Sequence, residues 1–383
     1  MPVRPRAVIA GASVAGLASA CALAQRGWTV TLLEQRPDLL EAGQAFLLQP
    51  NGLAALARLG VVEKVRAAGV QVEKVVFHEE GRDDGPVYDY GEIRHPHAYA
   101  VEIRPEALRR ALAERAAELG VGPPRFGCAV REVVWHDGRA VGARCADGVE
   151  VTGDLLLAAD GRASRTREAL GIQARRRGQP SAYLLGTVDV RRATRDLHVY
   201  CGDGYANGVC PLPDGTYFWD CITAENHPAV AGRDLDAWRV TYQRRVPCAD
   251  EFVGGLHAWE QLTEVEVRPF WAETRAAPGA LLLGDAAGTV HPHAAQGANL
   301  ALEDAAELLD AVAADARTDS DLLRSYARAR QRKLRRYVIW SLLAAGVLDG
   351  RNRLWRIARR QNFRSSQISL VRRAILKGQA GLA

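Results

Sequence analysis

The sequence predicts an α/β protein in which a strand, turn, helix and strand open a largely parallel sheet, an antiparallel sheet is inserted, and helices close the chain. Three observations carry this prediction. Ala7 to Ala10 is a short apolar run ending at Gly11, and small and apolar residues then recur at helical spacing from Val14 until Gly27. Between Tyr183 and Thr223, four short apolar or alternating runs are separated by Gly, Pro and Asp. Beyond residue 320 the pattern turns helical, over Leu322 to Leu348 and again over Arg353 to Leu376, with Asp319-Ser320 offering an N-cap.

At 383 residues and 41.6 kDa the chain is longer than a single core usually supports. Its 48% hydrophobic and 25% charged residues are those of an ordered globular protein. The net charge of +5 comes from scattered arginines and forms no nucleic-acid module with interleaved aromatics. Seven cysteines show no C-x-x-C pair and no zinc-type spacing, so reduced thiols and no metal are expected. The start of the chain has no signal-peptide pattern, and Val338 to Leu348 is too short to span a bilayer. A cytoplasmic protein with no membrane span is expected; nothing sets its oligomeric state. The basic C-terminal helix with its apolar stripe (Leu354, Ile357, Ala358) reads as a packed helix, with a membrane-surface or partner-binding role as the alternative.

The opening unit has the order and spacing of a dinucleotide-binding, Rossmann-like βαβ fold. Gly11 permits the tight turn, Gly16 lets the helix approach the sheet, and the helix-start N–H groups around Ser13 and Ala15 face a pyrophosphate. The second strand, Trp28 to Leu33, delivers Glu34 about 20 residues past the turn, where a carboxylate accepts hydrogen bonds from a ribose. Ser13 replaces the middle glycine of G-x-G-x-x-G, and the unit alone does not choose between NAD and FAD.

Four later stretches make that choice. Asp154 to Arg167 is a buried strand, an Asp160-Gly161 turn and a basic helix start. Leu281 to Ala305 runs from a strand into Gly284-Asp285, then through His291-Pro292-His293 to a helix opening at Gly297-Ala298-Asn299. Gly43 to Leu56 carries a helix start at Pro50-Asn51, and Val101 to Leu112 places Arg104 at a helix entry, where an anionic partner explains an arginine better than the helix dipole does.

In order and approximate spacing these segments resemble the FAD-dependent monooxygenases typified by p-hydroxybenzoate hydroxylase, the group A aromatic hydroxylases. The resemblance implies FAD held by Gly11, Ser13, Ala15, Gly16, Glu34, Gln35, Arg36, Arg104, Val130, Asp160, Gly161, Gly284, Asp285, Gly297, Ala298 and Asn299. It implies NADPH or NADH as reductant with no separate Rossmann domain, and O2 passed through a flavin C4a-hydroperoxide to hydroxylate or epoxidise an aromatic or polycyclic small molecule. Two positions depart from the family: Gly288 stands where histidine is usual and Ala295 where glycine is frequent. The Gly-Asp-Ala-Ala-Gly form also occurs in geranylgeranyl-reductase-like flavoproteins, so a reductase of an isoprenoid double bond is the alternative reaction. A non-catalytic flavin-fold binding protein is a further one. The Trp-x-Trp-x-Ile-Pro segment of a halogenase is absent.

The implied FAD domain is discontinuous, over 1–71, 98–172 and 270–320. A β-sheet layer from 72–97 and 173–269 covers the substrate, and 321–383 forms a helical segment. His291 and His293, flanking Pro292, are the expected proton carriers or substrate contacts, with pKa values near neutrality. Tyr205, Trp219 and Asp220 are candidates to line the substrate layer.

Overall fold

The computed structural model describes residues 4–39, 45–81, 85–312 and 321–382. At its centre lies a five-stranded sheet in the order Ala276–Ala277, Ala280–Leu282, Leu155–Ala158, Arg6–Ala10, Thr29–Leu33. The last four strands are parallel. Arg6–Ala10 shows why both faces must be covered: Ala7 and Ile9 point into one core, Val8 and Ala10 into another. The first core holds the helices Val14–Gln25, Pro105–Glu118 and Gly297–Ala311. The second holds a three-stranded sheet of Val130–His136, Arg139–Cys145 and Glu150–Thr152, which the sequence reading did not anticipate.

A seven-stranded sheet stands beside it, in the order Leu262–Val267, Ser181–Val188, Gly215–Cys221, Tyr205–Leu212, Leu197–Gly202, Lys74–Glu79, Val87–Asp89. It is antiparallel except where Lys74–Glu79 runs alongside Leu197–Gly202. Alternation again sorts its side chains. Tyr183, Leu185, Tyr217 and Cys221 share one face with Phe363 and Leu376 of the C-terminal helices, and Leu184 and Phe218 pack on the other with Trp238 and Tyr242. The expected runs near 183–190, 198–201, 207–211 and 216–223 correspond to strands, whereas Leu262–Val267 and the helix Leu235–Arg245 carried no recognised signal.

Three local expectations need correction or restriction. The segment predicted as one helix over 353–376 is two, Arg353–Ser365 and Ser369–Gln379. The long helix Asp321–Asp349 forms as expected, but its anticipated cap at Asp319-Ser320, like Gly43, lies outside the described residues. The cysteines are not all reduced: Cys128 and Cys145 are joined as a disulfide with Cα atoms 5.3 Å apart, leaving Cys21, Cys201, Cys210, Cys221 and Cys248 free. A hairpin sets Cys145 opposite Val130. That proximity leaves no trace in cysteine spacing along the chain. Among the described residues, no helix is long and apolar enough to cross a membrane.

Candidate functional site

A cavity of about 1220 Å³ lies between the two large sheets. One wall comes from the parallel sheet. Gly11 has φ +99°, and a Cβ there would stand 2.4 Å from the Ala159 carbonyl oxygen. Gly16 is held as tightly, since its Cβ would meet the Gly11 oxygen at 1.8 Å. Both glycines are therefore demanded by close backbone approach. Ser13 precedes the helix Val14–Gln25 in extended conformation, and its side chain makes no capping bond, so the helix N-terminus remains open towards the cavity it lines. Glu34 is buried at its strand end; its Oε2 accepts from the Ala12 N–H at 2.7 Å and its Oε1 from the Arg36 N–H at 3.0 Å.

The second fingerprint touches the first. Gly284, at φ +53°, leaves room for Ala15: a Cβ on it would lie 2.9 Å from the Ala15 Cβ. Beneath it, Asp304 accepts the Gly284 N–H at 2.9 Å, Arg275 at 2.7 Å and Arg330 at 2.6 Å, all three side chains being buried. Burial drives the Asp304 carboxyl up, but the two guanidinium groups outweigh it and hold the carboxyl below its ordinary value. Asp285 next door has no such partners. It is open to the cavity it lines, and the protein closing round that cavity raises its carboxyl above the ordinary value against the opposing field of Arg162. The helix Gly297–Ala311 also begins without a side-chain cap, presenting its first N–H groups at Gly297 and Ala298.

Asp160 and Gly161 line the same wall, but the Asp160 carboxylate already accepts from Ser164 Oγ at 2.5 Å and from the Thr166 backbone and hydroxyl at 3.0 and 2.9 Å. It shapes the turn. Asn299 is likewise a brace: its Oδ1 accepts the Gln49 N–H at 2.9 Å, and its Nδ2 donates to the carbonyls of Leu47 and Ala295 at 3.0 and 2.7 Å. Gln35, Arg36 and Val130 line the cavity. Arg104 does not; it grips Asp214 with three contacts of 3.0 to 3.1 Å, and Arg109, one turn on, is the arginine of that helix facing the cavity. The two departures from the family pattern have local meanings. A side chain at Gly288 would strike the Phe270 carbonyl oxygen at 2.4 Å. Ala295 adopts the left-handed conformation, φ +47° and ψ +36°, that favours glycine.

The opposite wall is apolar and aromatic. Phe77, Tyr183, Leu185, Tyr217 and Trp219 come from the seven-stranded sheet, and Trp340, Leu348 and Phe363 from the C-terminal helices. Trp219 is the one expected substrate-layer residue that faces inward. Asp220, on the other face, is buried in hydrogen bonds from Trp238 Nε1 and Asn226 Nδ2 at 2.9 and 2.8 Å, and Tyr205 lies under the Arg245 guanidinium, 4.7 Å from its ring centroid. The period-2 rule places Tyr183 and Tyr217 on the cavity face, although neither was singled out.

Pro292 and His293 border the cavity where the walls meet, and His291 stands behind them. His291 Nδ1 accepts the His293 N–H at 3.4 Å, so its Nε2 carries the proton shared with Ser181 Oγ at 3.0 Å and Tyr183 OH at 3.3 Å. Burial lowers His291 to about 4, and burial together with the field of His291 holds His293 well below its ordinary value. Both rings are neutral at pH 7, which corrects the expectation of a histidine titrating near neutrality.

Comparison with known proteins identifies the family and the fold. An FAD binding domain family model matches residues 5–341. The chain is 30% identical over 314 residues to 6-methylpretetramide 4-monooxygenase of Streptomyces rimosus, covering 78% of this chain and 72% of that protein. It is 28% identical over 316 residues to an FAD-dependent urate hydroxylase of Mycolicibacterium vanbaalenii, covering 79% and 78%. Klebsiella pneumoniae HpxO, solved with FAD and uric acid, shares the fold with a TM-score of 0.81 and 22% identity, covering 99% of this chain and 96% of that one. The chain belongs to the FAD binding domain family, and within it to the FAD-dependent monooxygenases of the p-hydroxybenzoate hydroxylase type.

Proposed function

We propose that the chain uses NADPH or NADH and O2 to place one oxygen atom on an aromatic or polycyclic small molecule held against the seven-stranded sheet. The observation that supports this most is the joining of two unlike walls in one cavity of about 1220 Å³, larger than the roughly 300–1,000 Å³ of a single small-molecule pocket. The residues of the first wall fit FAD. Two uncapped helix starts suit a pyrophosphate and the flavin pyrimidine edge, Glu34 a ribose, and the unpaired Asp285 carboxylate a ribityl hydroxyl. FAD, when bound, supplies the electron transfer from the pyridine nucleotide and the activation of O2. The chain's own contribution is to orient the two ligands and keep water out with the aromatic wall. His291 and His293, being neutral, serve as hydrogen-bonding groups for Tyr183 rather than as stored protons. We also assign 1–71, 98–172 and 270–320 to the cofactor unit, and 72–97 with 173–269 to the substrate layer.

The reductase reading loses its main support, because Gly288 is required by the Phe270 carbonyl whatever the reaction. Purified protein should release FAD on denaturation. Oxygen uptake and NAD(P)H consumption against phenols, polycyclic aromatics and indoles should give products heavier by one oxygen. Colourless protein, or hydrogenated isoprenoid products, would sink the proposal.

A further inference from the structure

One buried ionisable group in the cavity has no part in the arrangement so far. Glu102 lies on the strand Ala100–Ile103, opposite Leu47 on one side and Val70 on the other. All four residues of this strand are buried; Val101 and Ile103 enter the helix-side core, while Ala100 packs on the substrate side and Glu102 lines the cavity. A carboxylic acid therefore stands where the pattern of the strand calls for an apolar side chain. It is 1% exposed, and its Oε2 has no hydrogen-bond partner among the described residues. A buried polar atom left unpaired costs about 1–3 kcal/mol, so a site that keeps one has a use for it.

Its neighbours define that use. Tyr90, Cys210 and Tyr217 are the titratable groups that the field of Glu102 reaches, and burial holds all three in their neutral forms. Tyr90 spends its hydroxyl on Gln49 Oε1 at 3.0 Å. With no cation beside it among the described residues, burial pushes the Glu102 carboxyl up to about 8, so it is an uncharged acid at pH 7. Such an acid offers a hydrogen-bond donor and an acceptor side by side.

We propose that Glu102 is the polar anchor of the substrate and selects a flat aromatic or polycyclic molecule that carries a neutral donor beside an acceptor on one edge, as a lactam does. The inference rests on the monooxygenase reading of the same cavity and adds its substrate class. A carboxylate substrate is disfavoured at this wall, because the arginines lining the cavity, Arg36, Arg109, Arg162 and Arg165, belong to the cofactor side.

Calorimetric titration of the FAD-loaded protein with two probes of one shape tests this: 2-quinolone, which has the paired edge, and naphthalene, which lacks it. Native protein should bind 2-quinolone at least about tenfold more tightly than naphthalene. Glu102→Gln, which keeps a donor and an acceptor, should retain the preference; Glu102→Leu should abolish it, with flavin content unchanged in both. The assignment is overturned by a native protein without the preference, by Glu102→Leu retaining it, by Glu102→Gln losing it, or by FAD loss in both variants, which would make Glu102 a cofactor or folding residue. Absence of FAD from native protein would instead overturn the proposed function.

Discussion

The two walls of the cavity are built by different means. The cofactor wall is mostly backbone: two glycines whose Cβ atoms would collide with neighbouring carbonyl oxygens, two uncapped helix starts, and carboxylates at strand ends. The substrate wall is side chains, contributed singly by distant strands and by C-terminal helices. Backbone recognition needs particular residues at particular spacings and tolerates little change. A side-chain wall is set mainly by size and hydrophobicity, with a single polar group such as Glu102, so most of its residues can change without disturbing the fold.

This contrast can be tested, beginning with the support of the cofactor wall. Asp304→Ala strands two buried guanidinium groups under Gly284, and chemical denaturation should report a loss of about 3–5 kcal/mol. A loss below about 1 kcal/mol would show that the ion cluster does not hold this wall.

The junction of the walls should respond to acid. A neutral buried His291 takes up a proton more readily unfolded than folded, so its contribution to stability is fully present above its ordinary value of 6.5 and is lost as pH falls towards about 4. At about 1.4 kcal/mol per tenfold change in proton affinity, this amounts to about 3 kcal/mol, read as the difference in pH-dependent unfolding between native protein and His291→Gln.

Separation of the two walls is sharpened by Asp285→Asn. It should weaken FAD retention about tenfold, measured as flavin released from purified protein, while leaving the unfolding free energy of the flavin-free form nearly unchanged. Flavin content equal to that of native protein would remove Asp285 from the cofactor wall.

The smallest effect has the most informative sign. Ala295→Gly relieves a left-handed alanine, partly offset by the greater freedom of glycine in the unfolded chain, for a net gain of about 0.5 kcal/mol. Ala113→Gly, in the middle of the helix Pro105–Glu118, should lose about 0.5–1 kcal/mol in the same thermal melt. Opposite signs would confirm that strain at the cavity loop is specific to residue 295.

The α/β class, the Gly11 to Glu34 unit and the Gly284-Asp285 fingerprint were legible because each is local: a turn, a helix start and a strand end a few residues apart. The Cys128–Cys145 bond was not, since cysteine spacing does not show which thiols meet; the hairpin at 130–145 and the helix Leu235–Arg245 were passed over although each has a local mark, the Asp137-Gly138 turn at φ +48° and +73° and the Asp234 cap. Arg104 shows the limit of local reading. Its place at the start of a helix is correct, but its guanidinium finds Asp214, 110 residues away, and Arg109 faces the cavity. Asp220 and Trp219 are adjacent in sequence and point to opposite faces, so strand direction decides which of them meets a ligand.

The sequence by itself determined the cofactor class, because binding a dinucleotide through backbone N–H groups demands glycines and carboxylates at set intervals. Only the tertiary structure decided the protonation of the histidines and of Glu102, and which aromatics meet the substrate. Those properties depend on burial and on neighbours brought together from remote parts of the chain, and neither is written in local order.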